Sequence, residues 1–327
     1  MVSAQEFMQK VVLEDLAASS PPVLRGRALH CLASFASAKR IPPALEDVGL
    51  HHALLALEPE AALPVRMTAS RAIGALAEAA VARSSHGGLV SDCASEGNGA
   101  DFKLLAEHLP LVLRRIAELL ADATEDGALI TLEALHHVVS IPAGSSAAKT
   151  AVLLPVVDQL LCALSRCGGD IMIASQALDT IQLLVRQDGG AYVTLVAEVA
   201  IPMCVKVLSA PETVTPTQAE NVMELISIIV CHPAASPSLP SSHPLVLEIL
   251  PPLIKTMLTS VDDDLLLAAC SSLRAFISQG ADDLLAMRIE GSSLLDSCVQ
   301  IVLRLFMFGS EPSASAACPI VILLFLR

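Results

Sequence analysis

"PVRMTASRAIGAL", residues 64–76, decides the fold, because its spacing recurs along the chain. Ala69, Ala72, Ile73 and Leu76, continued by Ala77 and Ala80, fall at the i, i+3, i+4, i+7 intervals that line one face of an α-helix. Arg66, Ser70, Gly74 and Glu78 lie across from them, so the stretch reads as an amphipathic helix with a single apolar side. Pro64 suits the first helical position, where its missing N–H is no loss, and Pro59 ends whatever precedes it.

Similar helices, small residue followed by apolar pairs, surround Ala28 in "GRALHCLASF", Thr131 in "LITLEALHHV", Ala174 in "MIASQALDTI", Ala219 in "QAENVMELI" and Ala269 in "LAACSSLRAFI". With Ala69 these anchors are 41, 62, 43, 45 and 50 residues apart. The interval of 62 contains "SSHGGLVSDCASEGNGAD", residues 84–101, which reads as a disordered Gly/Ser-rich surface insertion carrying Asp92, Glu96 and Asp101. The interval of 50 contains the Pro/Ser loop "HPAASPSLPSSHP", residues 232–244.

Between the anchored helices runs a second series, in which an apolar residue precedes proline at Leu109-Pro110, Leu154-Pro155, Ile201-Pro202 and Leu250-Pro251. The phase is regular, at 45, 47 and 49 residues. Proline inside a helix costs ~3 kcal/mol and kinks it, so each site is either a bend in one helix or the start of a fresh one. The residues leave both open.

A helix pair returning every ~40–47 residues is the HEAT/armadillo period. Two helices per unit, without a short third, favour HEAT. The expected fold is therefore all-α, a right-handed α-solenoid of about six helix pairs over residues 1–307, with insertions at 84–101 and 232–244. Residues 308–327, ending "CPIVILLFLR", depart from the pattern and read as an atypical tail, with native and non-native origin both left open. Each helix buries a few aliphatic side chains at roughly 1.5–3 kcal/mol apiece, and can do so only against its neighbours.

Composition agrees with such an array. Hydrophobic residues make up 54% of the 327, but aromatics only 2%, and tryptophan is absent; small aliphatic contacts must replace large aromatic anchors. Mean hydropathy is +0.63, yet no segment offers the roughly 20 uninterrupted apolar residues that span a bilayer. Nine scattered cysteines suggest reduced thiols and a home in cytoplasm and nucleus. The net charge of −14 argues against direct nucleic-acid binding and welcomes a basic protein partner.

Catalytic signatures are missing. There is no G-x-x-x-x-G-K-[ST], G-x-S-x-G or H-E-x-x-H, and "EGNGAD" lacks the strand and helix of a dinucleotide loop. The His51-His52 and His136-His137 pairs, and His30 and His232 beside cysteines, have adjacent spacing that suits helix surfaces better than metal ligation. The expectation is a protein without enzymatic activity, cofactor or metal. Arg66 and Arg71 could meet a ligand, but Arg66 is expected to pair with an acidic residue of an adjoining turn. Two acidic turns precede anchored helices: "DATEDG", with Asp122, Glu125 and Asp126, and "SVDDDL", with Asp262, Asp263 and Asp264. Helix capping explains one carboxylate per turn; the surplus makes these six residues the candidate cargo-binding rim.

"LRGRALHCLASFASA" at 24–38, "PVRMTASRAIGAL" at 64–76 and "SSLRAFISQGADDLLAM" at 271–287 resemble, in order and spacing, the central HEAT repeats of the importin-β (karyopherin) superfamily of nuclear transport receptors, its importin-9-like members above all. The resemblance covers about residues 20–307. It implies a receptor segment that binds basic, histone-like protein cargo on a concave face for Ran-dependent nuclear import, with nucleoporins as further partners. The family's amino-terminal Ran-binding repeats have no counterpart here, so the resemblance implies an internal piece of such a receptor. The alternative reading is a generic HEAT scaffold or regulatory subunit of a protein complex.

Overall fold

A computed structural model describes residues 4–17, 20–38, 41, 43–86, 103–141, 147–187, 192–210, 214–230, 247–279, 284–289 and 291–326. They form helices almost throughout. Helix α1 is one winding stretch, Ala4–Phe7, a π-helical turn Met8–Val12 and Leu13–Asp15. There follow α2 (Pro22–Ser37), α3 (Pro43–Ala56), α4 (Leu63–His86), α5 (Lys103–Asp122), α6 (Glu125–Val139), α7 (Ala147–Cys167), α8 (Ile171–Arg186), α9 (Val193–Ser209), α10 (Pro216–Val230), α11 (Leu250–Thr259), α12 (Asp263–Gln279), α13 (Leu294–Phe308) and α14 (Glu311–Leu326). A two-residue hairpin, Arg288–Ile289 with Ser292–Ser293, precedes α13 and turns at Gly291, whose φ of 94° favours glycine.

The chain divides into two compact units, Met1–Ala163 with Ser175–Leu183, and Leu164–Ala174 with Leu184–Arg327. In the first, the anchored helices α2, α4 and α6 pack successively in one row, while α3 lies on α4 and α5 on α6 as a second layer. In the second unit, α10, α12 and α14 make the row, with α9 on α10 and α13 on α14. In the pairs α5–α6, α9–α10 and α11–α12 a proline-series helix is followed by its anchored helix. The architecture is the all-α helical-repeat fold expected of HEAT/armadillo-like arrays.

Helix α4 shows why the array holds. Ala69, Ala72, Ile73, Leu76, Ala77 and Ala80 are buried as the spacing predicts, but Arg66, Ser70 and Gly74 are buried too. From 69 to 80 only Arg71 and Glu78 remain exposed. The single apolar face expected from the sequence is thus corrected: α2 covers one side of α4 and α6 the other, and small residues let both approach. The buried Ser70 hydroxyl is satisfied by the Met67 carbonyl at 2.8 Å. Thr131 of α6 uses the Gly127 carbonyl in the same way, at 2.8 Å.

Both proline geometries occur. Pro110, Pro155 and Pro202 lie inside α5, α7 and α9, whereas Pro251 sits in the first turn of α11. Pro155 and Pro202 face solvent, where the lost i−4 hydrogen bond can be made to water.

Of the predicted insertion 84–101, residues 84–86 continue α4; the remainder, and the loop 232–244, lie outside the described residues. The tail does continue the stacking: α14 packs on α12 and α13, with Ser313, Ala317 and Ile320 buried. No helix of the described residues is long and apolar enough to cross a membrane.

Candidate protein-binding site

The two acidic turns lie in different units and have different surroundings. In the first unit, Asp122 ends α5 and Thr124 begins α6 with extended backbone, leaving Glu125 and Asp126 in the first turn of α6. All three carboxylates are exposed. Glu125 and Asp126 sit near the positive end of the α6 dipole, but neither acts as its N-cap.

Asp122 is the partner that the sequence left unnamed for Arg66. The Arg66 Nη1 lies 3.9 Å from its Oδ2, with the arginine side chain 10% exposed and the aspartate 67%. The contact is long, and the Arg66 Nε is buried without a hydrogen bond. Asp122 thus offers one face to Arg66 and the other to solvent.

In the second unit, Asp262 is the N-cap of α12: its Oδ1 accepts from the backbone N–H groups of Asp264 at 3.0 Å and Leu265 at 3.1 Å. Asp263 is drawn to α14, where its carboxylate accepts from the Ser313 hydroxyl at 2.7 Å. That bond, and a second from Ser310, hold its carboxyl below the ordinary aspartate range. Asp264 remains exposed. The three consecutive aspartates therefore divide into a cap, an interhelical tie and an open charge.

Glu220 of α10 completes the local picture and was missed from sequence, where it reads as one acid inside an amphipathic helix. Carboxylate oxygens of Glu220, Asp262 and Asp264 lie within 4.8 Å of one another. Partial burial first, then the negative charges of Asp262 and Asp264, push the Glu220 carboxyl above the ordinary glutamate range. No described cation neutralises the group: the nearby Arg304 of α13 donates instead to the carbonyls of Met257, at 2.6 Å, and Ser260, at the end of α11. Val261, 92% exposed, stands next to this cluster in sequence.

Helix α10 is held firmly where it carries Glu220. Thr215 and Gln218 form a reciprocal cap, the Thr215 backbone N–H donating to the Gln218 side-chain Oε1 at 3.1 Å and the Gln218 backbone N–H to the Thr215 hydroxyl at 3.3 Å. The Gln218 and Asn221 amides then donate to the carbonyls of Ser165, at 3.1 Å, and Gly168, at 2.9 Å. The acidic cluster is thus built on rigid elements, with its charge facing solvent.

Among the described residues the histidine pairs gather no further ligands. His51 and His52, and His136 and His137, stack edge to face with centroids 6.1 and 5.8 Å apart. His136 Nδ1 lies 3.3 Å from the Thr180 hydroxyl, and burial lowers its pKa.

No protein-family model and no curated protein matches the sequence. Solved structures do resemble the fold. An engineered protein is 17% identical over 84% of this chain and 97% of its own, with a TM-score of 0.52. A designed armadillo repeat protein, solved in complex with the peptide (KR)4, is 13% identical over 84% of this chain and 99% of its own, with a TM-score of 0.51. Another engineered protein is 16% identical over 83% and 98%, with a TM-score of 0.52. At these identities the similarity establishes the fold alone, that of a helical-repeat scaffold of armadillo/HEAT type.

Proposed function

We propose that this chain is a non-enzymatic protein-binding module that engages a basic protein segment. The observation carrying this reading is the open carboxylate cluster of Glu220, Asp262 and Asp264: it is rigidly mounted, partly desolvated and uncompensated by any described cation. A lysine or arginine brought there would relieve repulsion among the three carboxylates as well as gain its own attraction. The exposed Asp122, Glu125 and Asp126 supply a second acidic edge, and the net charge of −14 would speed the approach of a cationic partner. The designed armadillo protein of the same fold carries an alternating Lys-Arg peptide, which supports the assignment by analogy.

The resemblance of residues 20–307 to the central repeats of importin-9-like receptors refines the reading. On it, the cargo is a histone-like basic protein, the longer receptor releases it to Ran-GTP and contacts nucleoporins, and the protein moves between cytoplasm and nucleus. The test is capture of core-histone dimers by the chain at physiological ionic strength, repeated with Glu220→Lys, Asp264→Lys. The expected result is capture that the double reversal abolishes and Ran-GTP reverses in the longer receptor. Histone binding indifferent to the reversal would remove the cluster from the interface, and no capture at any salt concentration would remove the basic-cargo reading.

A further inference from the structure

The row α2–α4–α6 carries a surface of opposite character. A groove of about 620 Å³ runs between the amino-terminal halves of α2 and α4, and Ile130 of α6 closes it. Val23 and Val65 contribute apolar walls. Arg27 and His30 line it from α2, and Arg71 from α4, all three exposed.

Most other placed arginines of this unit are committed: Arg66 to Asp122, Arg83 to Glu46, Arg115 to Glu58 and Glu118. Arg27 and Arg71 have no ion-pair or hydrogen-bond partner among the described residues. Among the described residues no carboxylate lines the groove; Asp126 and Glu133, which flank Ile130 along α6, lie outside its lining. In a chain with 34 acidic and 20 basic side chains, the groove sets two guanidinium groups that have no described partner beside an apolar lining.

We propose that this groove docks an acidic peptide segment of a partner protein, its carboxylates on Arg27 and Arg71 and an apolar side chain between them against Val23 and Ile130. Charge complementarity selects the occupant: a basic segment would meet like charge at both rims, and a purely apolar one would leave both guanidinium groups under-used. Arginine's planar fork suits bidentate capture of a carboxylate, while the apolar floor gives the ligand something a salt-screened ion pair lacks. The site shares no residue with the acidic cluster on α10 and α12, so the arginine variants and the Glu220 and Asp264 variants test the two proposals separately.

The experiment is fluorescence anisotropy of the full chain with a fluorescein-labelled peptide of Asp-Leu-Glu-Ser repeats, against Asn-Leu-Gln-Ser and Lys-Arg peptides of equal length. Saturable binding of the acidic peptide and not of the neutral one is expected, weakening steadily with added salt, while Lys-Arg binding, made at the acidic cluster, should be unmoved by the arginine variants. The Arg27→Glu, Arg71→Glu chain should lose about tenfold or more in affinity; Arg27→Gln, Arg71→Gln gives the same direction should the reversal perturb the helical circular dichroism. Val23→Ser should weaken binding while leaving its salt dependence intact. Equal binding of acidic and neutral peptides, or acidic binding indifferent to both arginine variants, would overturn the proposal.

Discussion

Gly74 of α4 lies so near Ala134 of α6 that a Cβ built on it would stand 2.8 Å from the Ala134 Cα. The neighbour is backbone, which cannot swing away as a side-chain tip can. Replacing Gly74 by alanine should gain about 1 kcal/mol in helix propensity but cost about 1–3 kcal/mol in overpacking, for a net loss of up to about 2 kcal/mol. Gly26 of α2 is the control, since the nearest atom to a Cβ there is the Thr68 Oγ1 at 4.0 Å. Gly26→Ala should stabilise by about 0.5–1 kcal/mol. Urea unfolding followed by circular dichroism measures both; a stabilising Gly74→Ala would contradict the close packing of the row.

That contact also marks how far the sequence could be read. The anchors at Ala28, Ala69, Thr131, Ala174 and Ala269 are all buried in the helices expected of them, because a small residue at a helix crossing is a local requirement. The two-sided burial of α4 is less legible. An amphipathicity argument assigns one face to the core, but a helix flanked on two sides also hides Ser70 and Gly74, which look polar or neutral in a pattern of hydrophobicity. Glu220 escaped for a different reason: only the fold brings it to Asp262 and Asp264, forty or more positions away. Arg66, by contrast, was legible as an ion-pairing residue, and only its partner awaited the structure.

Within the first unit, Arg83 near the end of α4 makes a two-pronged bond to Glu46 of α3, with N–O distances of 2.9 and 2.8 Å. Both side chains are substantially covered, at 35% and 20% exposure. A double-mutant cycle with Arg83→Met and Glu46→Gln should give a coupling of about 1 kcal/mol or somewhat more, above the 0.2–1 kcal/mol typical of exposed pairs. A coupling near zero would mean that apolar packing alone fixes α3 on α4.

The Ser313–Asp263 bond ties α14 to α12 and gives the tail a pH signature. Hydrogen bonds from Ser313 and Ser310 lower the Asp263 pKa in the folded chain. The contribution is therefore present above the unfolded aspartate pKa and is lost as pH falls through the folded value. In Ser313→Ala the Asp263 carboxyl should titrate at higher pH by NMR, and limited proteolysis should reach residues 308–326 sooner in acid. An unchanged Asp263 titration would show that Ser313 does not hold it.

Glu220 behaves in the opposite sense. Burial and the charges of Asp262 and Asp264 raise its pKa in the folded state, so stability falls as pH rises from the unfolded glutamate value through the folded one. Asp264→Asn keeps the Asp262 cap and removes one repelling charge. The Glu220 titration should then move down towards its ordinary value, and the melting temperature near neutral pH should rise slightly while basic-cargo affinity falls. A variant that loses no affinity, despite the shifted titration, would separate the cluster's electrostatics from binding.

The second unit carries buried thiols in successive layers: Cys204 in α9, Cys270 in α12 and Cys298 in α13. Burial pushes Cys204 and Cys298 up to about 12 and Cys270 up to about 11, so each can react with a thiolate-seeking reagent only after its layer opens. In a repeat array each layer is stabilised by the neighbours that cover it. The α13 layer is sparsely covered: Leu295, Val299, Leu303 and Phe306 lie exposed along one side of it. Chains retaining a single cysteine should therefore react with an aromatic disulfide in the order Cys298 first, then Cys270, then Cys204, whereas the exposed Cys162 and Cys318 react at once. Identical rates for Cys298, Cys270 and Cys204 would mean that the unit opens as one cooperative block, with no fraying from the sparsely covered layer.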